Sequence, residues 1–292
     1  MGKIGLIDVG GGLRDIFGAG VFDYLIEKNI IIDFLVGISA GSGNIITYMS
    51  KQYKRNYKSY MEFSKRKEYM SWKNYIKDKN YVGLDYIYNV LSKEDGELPF
   101  DYETYKNSKS NFVIVATDAD TGKPVYFNKK DITKDKYDIC AASSTLPVLN
   151  KPYKINNKYY FDGSISDPIP IEKCEEEKCD KIIIILTRPL NYRKSDGNKK
   201  ILYRNIKREY PNFYNVLIDR CNIYNNKLET IIENYDNDKL LIISPDETTG
   251  LKTLTKDYKK LDELYKNGYN KGKIIEDFIN KKSKKKVNKW QK

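Results

Sequence analysis

Short apolar runs alternate with longer amphipathic segments along this chain of 292 residues. Residues 3–9 (Lys-Ile-Gly-Leu-Ile-Asp-Val) read as a first strand. Residues 16–28 place Ile16, Phe17, Val21, Leu25 and Ile26 on one broad face, the spacing of a helix packed on a core. Residues 30–36 form a β-branched and apolar run suited to a buried parallel strand, and residues 42–50 continue as a helix. Further on, residues 111–117 and 124–127 are predicted as paired strands around a loop at 118–122, and residues 131–142 as a helix. A turn at 155–158 predicts a hairpin, residues 182–186 and 240–244 add strands, and residues 204–235 and 258–280 read as helices. This alternation predicts an α/β protein: a three-layer α/β/α sandwich with a mostly parallel central sheet. Residues 1–280 are read as one domain, and residues 281–292 as a separate basic tail.

Between the first helical segments and residue 111 lies a tyrosine-rich stretch, residues 53–91, expected to be helical. Its aromatic and apolar positions include Tyr57, Tyr60, Met61, Phe63, Tyr69, Met70, Leu84, Tyr86, Ile87, Tyr88 and Leu91. Such a stripe serves either as core or as a lid or acyl-chain groove beside a site.

Three motifs carry candidate chemistry. Gly37-Ile38-Ser39-Ala40-Gly41 sits between a predicted strand and a predicted helix, the context of a nucleophile elbow. Small residues let the turn close tightly, and the helix N-terminus favours negative charge at the serine oxygen. The sequence contains no histidine, so a Ser-His-Asp triad is excluded. Upstream, Gly10-Gly11-Gly12-Leu13-Arg14-Asp15 follows the first strand directly. Consecutive glycines expose backbone N–H groups that can hold an oxyanion or a phosphate, but the spacing fits neither nucleotide-binding glycine motif. Downstream, Tyr160-Phe161-Asp162-Gly163-Ser164 places a carboxylate after an aromatic strand. Without imidazole, a carboxylate made more basic by burial is the available base, although Asp-Gly is also an ordinary turn.

Taken in this order, the Gly-Gly-Gly-x-Arg loop, the Gly-x-Ser-x-Gly elbow and the distant Asp-Gly resemble the patatin-like phospholipase family over about two-thirds of the chain. Residues 141–147 (Ala-Ala-Ser-Ser-Thr-Leu-Pro) are similar to the family's small-residue and proline stretch. The resemblance implies a Ser-Asp dyad, with Ser39 as nucleophile and Asp162 as base. It implies an oxyanion hole from the Gly10, Gly11 and Gly12 loop with Ala40, supported by Arg14, Gly37, Gly41 and Gly163. The implied substrate is a lipid or other acyl ester. Three positions depart from the family pattern: Asp15 after the arginine, Ser164 after Asp-Gly, and Asp167-Pro168. Asp15 is expected either to pair with Arg14 or to cap the following helix.

Composition narrows what else the chain does. No apolar run is long enough to span a bilayer, and the first strand starts without a signal segment, so a cytoplasmic protein is expected. Cys140, Cys174, Cys179 and Cys221 make no Cys-x-x-Cys pair and are read as reduced thiols; no metal or cofactor is expected. The formal charge is +12, of which the tail supplies seven lysines and no acid. Lys, Asn, Ile and Tyr are abundant and share A/T-rich codons, so codon bias alone could supply the lysines, and arginine is comparatively scarce; no specific nucleic-acid partner is expected. The tail is either a solvated terminus or a peripheral contact for an anionic membrane, with Trp290 at the interface. The competing functional reading is a non-catalytic, basic membrane-surface or nucleic-acid-associated protein that keeps only the fold.

Overall fold

The computed structural model describes residues 2–195, 200–248 and 250–281. Among these residues eight strands form one sheet: β1 (Ile4–Asp8), β2 (Phe34–Ile38), β3 (Asn111–Asp118), β4 (Pro124–Phe127), β5 (Tyr153–Ile155), β6 (Lys158–Asp162), β7 (Lys181–Ile185) and β8 (Leu240–Ile243). Its order is β5-β6-β3-β2-β1-β7-β8, with β4 also paired to β3. The run β3-β2-β1-β7-β8 is parallel, and the pairs β3–β4, β3–β6 and β5–β6 are antiparallel.

Among the described residues ten α-helices accompany the sheet: α1 (Ile16–Glu27), α2 (Ala40–Met49), α3 (Arg55–Met61), α4 (Trp72–Asp78), α5 (Tyr102–Asn107), α6 (Asp138–Ser143), α7 (Ile171–Glu176), α8 (Arg204–Glu209), α9 (Pro211–Asn234) and α10 (Tyr258–Asn280). The central strands alternate which face each residue serves, and both faces are buried. Leu6, Leu35 and Ile183 join the core built with α1, α2 and α10, whereas Ile7, Val36 and Ile184 join the core built with α7 and α9. Strands covered on both sides need continuous apolar sequence, which is what β7 provides. The expected three-layer sandwich is therefore the observed one.

Several boundaries differ from the sequence expectation. The second strand begins at Phe34 because β1 pairs from Gly5↔Phe34 onward; Ile30 instead bonds back to Leu25 and closes α1. The expected helix over 131–142 shortens to α6, since Asp135 takes φ 61° and the segment before it folds as a capped turn at Lys129–Asp131. The helix over 204–235 divides at Tyr210 (φ −135°, ψ 68°), where Pro211 forces its predecessor out of helical geometry and starts α9. The stretch 53–91 is broken into short helices by Lys54 and Lys79, both left-handed. The 155–158 hairpin forms as expected, with Asn156 and Asn157 at positive φ joining β5 and β6. Of the basic tail, only Lys281 lies within the described residues; its ammonium meets Asp238 at 2.7 Å.

Candidate active site

Ser39 follows β2 directly and precedes α2, with φ 56° and ψ −128°. A serine in this region carries strain on the order of 1–3 kcal/mol, which surrounding structure must hold in place. Three contacts do so. The Ser39 N–H donates to Ser143 Oγ at 2.8 Å, and Ser143 Oγ donates to the Val115 carbonyl at 2.6 Å. The Ser39 carbonyl accepts from the Ser42 N–H at 3.0 Å and the Ser42 hydroxyl at 2.6 Å. Gly37 lies within β2 opposite Asp8 and Ile114. Gly41 packs so closely on β1 that a β-carbon there would stand 2.5 Å from the Asp8 carbonyl oxygen.

Strand β3 brings Asp162 to this turn. Along one edge, β2 pairs with β3 in parallel as far as Ile38↔Val115. The next residue, Ala116, pairs with Asp162 of antiparallel β6. Val115 and Ala116 both pair with β4 on the opposite edge, so β2 and β6 share one edge of β3 and meet end to end. Ser39 and Asp162 are the residues at that junction. Their side chains lie close enough for the Ser39 hydroxyl to lower the Asp162 pKa, and Asp162 Oδ1 accepts from the Ser164 N–H at 2.9 Å. Thr117 Oγ1 donates to the Asp162 carbonyl at 2.8 Å and fixes the backbone. Burial raises the Asp162 pKa above its ordinary 3.8, while the Ser39 and Ser164 hydrogen bonds pull the other way. Gly163 opens the turn that follows Asp162.

The glycine loop lies against the elbow. Gly10, Gly11 and Gly12 have φ of 69°, 154° and 61°. A β-carbon on Gly10 would stand 2.2 Å from the Ile38 carbonyl oxygen and 2.9 Å from the Ser39 β-carbon. The Gly10 N–H donates to Asp8 Oδ1 at 3.1 Å. Gly10, expected in the oxyanion hole, has its N–H engaged by Asp8 and shapes the loop against the elbow. Gly11 and Gly12 line the same cavity as Ser39 and Asp162, and Ala40 opens α2 beside them.

Both expectations for Asp15 fail. Its side chain makes no capping bond to α1, and neither carboxyl oxygen has a donor from the protein. Asp15 instead converges with Asp8 and Asn44 over Gly18, fully buried. Burial first, and the charge of Asp8 second, push its pKa well above the ordinary 3.8. A protonated Asp15 would account for the missing donors, since its own O–H could then donate to Asp8 beside it. Asp8 itself is pushed up to about 6 by burial, against a hydrogen bond from Asn44 (3.0 Å). Both folded-state pKa values exceed the unfolded one, so the folded protein holds more protons and stability falls as pH rises through the raised values. Asp15→Asn keeps a neutral side chain at all pH values. Its melting temperature is therefore expected to decline less steeply than that of the unmodified protein as pH rises through and above about 6, the raised value of Asp8. Parallel melting curves across that range would remove the acid pair from the account.

Sequence reasoning missed Ser143 as the elbow's clamp and the Asp8–Asn44–Asp15 cluster beneath it. Ser143 lay inside the small-residue stretch already singled out; Asp8 was hidden as one polar residue in an apolar strand.

A cavity of about 400 Å³ covers Ser39 and Asp162. A narrower apolar cleft of about 70 Å³, walled by Tyr69, Met70, Leu84 and Tyr88, meets it at Gly12, Ser39, Leu146, Thr253 and Leu254. The tyrosine-rich stretch therefore supplies both core and cleft wall. Among the described residues no three or more His, Cys, Asp or Glu side chains converge as a metal site, and no helix is long and apolar enough to cross a membrane.

The family of this chain follows from a match to the Patatin-like phospholipase family over residues 9–174, which spans the glycine loop, the elbow and Asp162. The chain belongs to the patatin-like phospholipase family. Residues 210–280 match a Domain of unknown function (DUF6363), which corresponds to α9, β8 and α10. An uncharacterized protein of Escherichia coli (strain K12), YjjU, is 27% identical over 194 residues, covering 64% of this chain and 53% of that protein. The chain thus spans about half the length of this curated relative. The crystal structure of VipD from Legionella pneumophila aligns with a TM-score of 0.48 and 14% identity, covering 94% of this chain and 67% of that one. Membership places the chain in a family of lipid acyl hydrolases.

Proposed function

We propose that the protein hydrolyses carboxylic esters of lipids through an acyl-enzyme on Ser39, with Asp162 as the base. The observation that carries this reading is a strained elbow serine and a buried aspartate brought together on one cavity, in a chain without histidine. Asp162 accepts the Ser39 proton as the serine oxygen attacks the ester carbonyl. The N–H groups of Gly11, Gly12 and Ala40 stabilise the tetrahedral oxyanion, aided by the positive end of α2. The carbonyl re-forms, the alcohol departs with the proton held on Asp162, and the acyl group remains on Ser39. Water then attacks this ester with Asp162, its first proton having gone to the departing alcohol, again accepting a proton. The intermediate collapses, Ser39 regains that proton from Asp162, and the free acid leaves. The apolar cleft offers a place for the acyl chain.

Only the ionised Asp162 can act as base. Activity toward p-nitrophenyl butyrate should therefore rise with pH along a single acidic limb, its midpoint above the ordinary 3.8 because burial raises this pKa. A kcat/KM profile tests this. A limb centred at or below 3.8 would exclude Asp162 as the group that must lose its proton.

A further inference from the structure

The cavity over Ser39 is unevenly charged. Arg14, Arg188, Lys194 and Arg220 line it, and among its described lining residues Asp162 is the only carboxylate. Three of these cations lie beyond residue 174, outside the span matched by the family, so family membership does not account for them. The hydrogen-bond partners of Arg14 and Arg188 are neutral: Arg14 donates to the Thr187 carbonyl (3.4 Å) and Thr253 Oγ1 (3.1 Å), and Arg188 to Thr248 Oγ1 (2.9 Å). Burial, then the neighbouring Arg188 charge, lowers Arg14 to about 10. Burial lowers Lys194 to about 8 despite Asp162 nearby. Cations gathered in this way, with Arg14 buried and the others half-buried, are a cost to the folded state unless a ligand brings negative charge.

The aromatic rings of the cavity point to the same ligand. Arg188 covers Tyr192 at 4.9 Å, Lys194 covers Tyr224 at 4.2 Å, and Arg220 covers Tyr203 at 5.6 Å. A quaternary ammonium group binds by resting on such faces. Here the protein's own cations already occupy them, and they would repel a second positive charge.

We infer that this half of the cavity is a headgroup subsite that selects acyl esters whose leaving group carries an unmasked phosphate over those whose phosphate is paired with a choline. The inference rests on the hydrolase reading of Ser39 and deepens it. The cleft and the cationic cavity join at Ser39, so an acyl chain in the first puts the glycerophosphate in the second. Arginine forks match phosphate oxygens in pairs, which is why phosphate is the ligand chosen here.

The test compares kcat/KM for 1-oleoyl lysophosphatidate and 1-oleoyl lysophosphatidylcholine, both below their micelle concentrations. The unmodified protein should favour the phosphate monoester by about tenfold or more, the scale of one charge-assisted contact. The double substitution Arg188→Gln with Lys194→Gln should bring the ratio close to one. Lys273→Gln, an exposed lysine of α10, controls for net charge and should leave the ratio as it was. A ratio near one in the unmodified protein, or one unaffected by the double substitution, overturns the subsite. A second arm titrates sn-glycerol 3-phosphate and inorganic phosphate into Ser39→Ala protein by calorimetry. Saturable glycerol phosphate binding that the double substitution abolishes supports the subsite. No binding, or tighter binding of inorganic phosphate, overturns it. Calorimetric binding with no turnover of any ester by the unmodified protein would instead overturn the hydrolase reading and leave the anion site standing.

Discussion

Ser39→Ala should lower kcat for ester hydrolysis by at least about 10⁴-fold, the scale on which an essential nucleophile or its partner acts. The substitution removes one oxygen at a turn held by other contacts. The Ser39 backbone N–H still reaches Ser143, and its carbonyl still accepts from Ser42, so the fold should be retained. Asp162→Asn should cause a loss of similar size, since an amide cannot take the serine proton. Its backbone anchors through Thr145 and Thr117 are unaffected. If the two groups act as one unit, as proposed, the double variant should be little worse than either single one. Steady-state rates with p-nitrophenyl butyrate, alongside melting curves, separate loss of chemistry from loss of structure. Losses that multiply in the double variant would mean that the two side chains act independently.

Gly10→Ala should damage activity less than the dyad variants do, and unlike them it should also weaken the fold. A left-handed φ of 69° costs alanine about 1–2 kcal/mol. The added methyl also falls 2.2 Å from the Ile38 carbonyl oxygen, a backbone atom that can move only if the elbow moves. The Gly10 N–H bond to Asp8 would be strained with it. Displacing Gly11 and Gly12 from the oxyanion position should cost on the order of 10²–10³ in kcat, the usual effect of losing one such donor. Rate and melting temperature should fall together. A Gly10→Ala protein with unchanged rate and stability would show that the loop does not press on the elbow.

The contrast between these residues shows what local sequence encodes. Ser39, the glycine loop and Asp162 were legible because a tight turn, a positive φ and a turn after a strand each demand particular residue types. The layered fold was legible because strands buried on both faces need unbroken apolar runs, as in β7. What brings Asp162 to Ser39 was not legible. It depends on β2 and β6 sharing one edge of β3, a register fixed by strands far apart in sequence. The division at Tyr210–Pro211 was in principle readable from the proline alone. The Asp8–Asp15 pair was not, since a buried acid gives no periodic signal and its neutrality depends on a neighbour in another element. The cations Arg188, Lys194 and Arg220 are scattered over loops and α9, and only the folded chain gathers them over Ser39.

The dyad is tested most directly by covalent labelling. The unmodified protein, treated with a fluorophosphonate and digested, should carry the phosphonyl group on Ser39 in mass spectra. Ser39→Ala should remain unlabelled, and Asp162→Asn should label far more slowly. Labelling at another residue, or equal labelling rates with and without the Asp162 carboxylate, would contradict a serine activated by that aspartate.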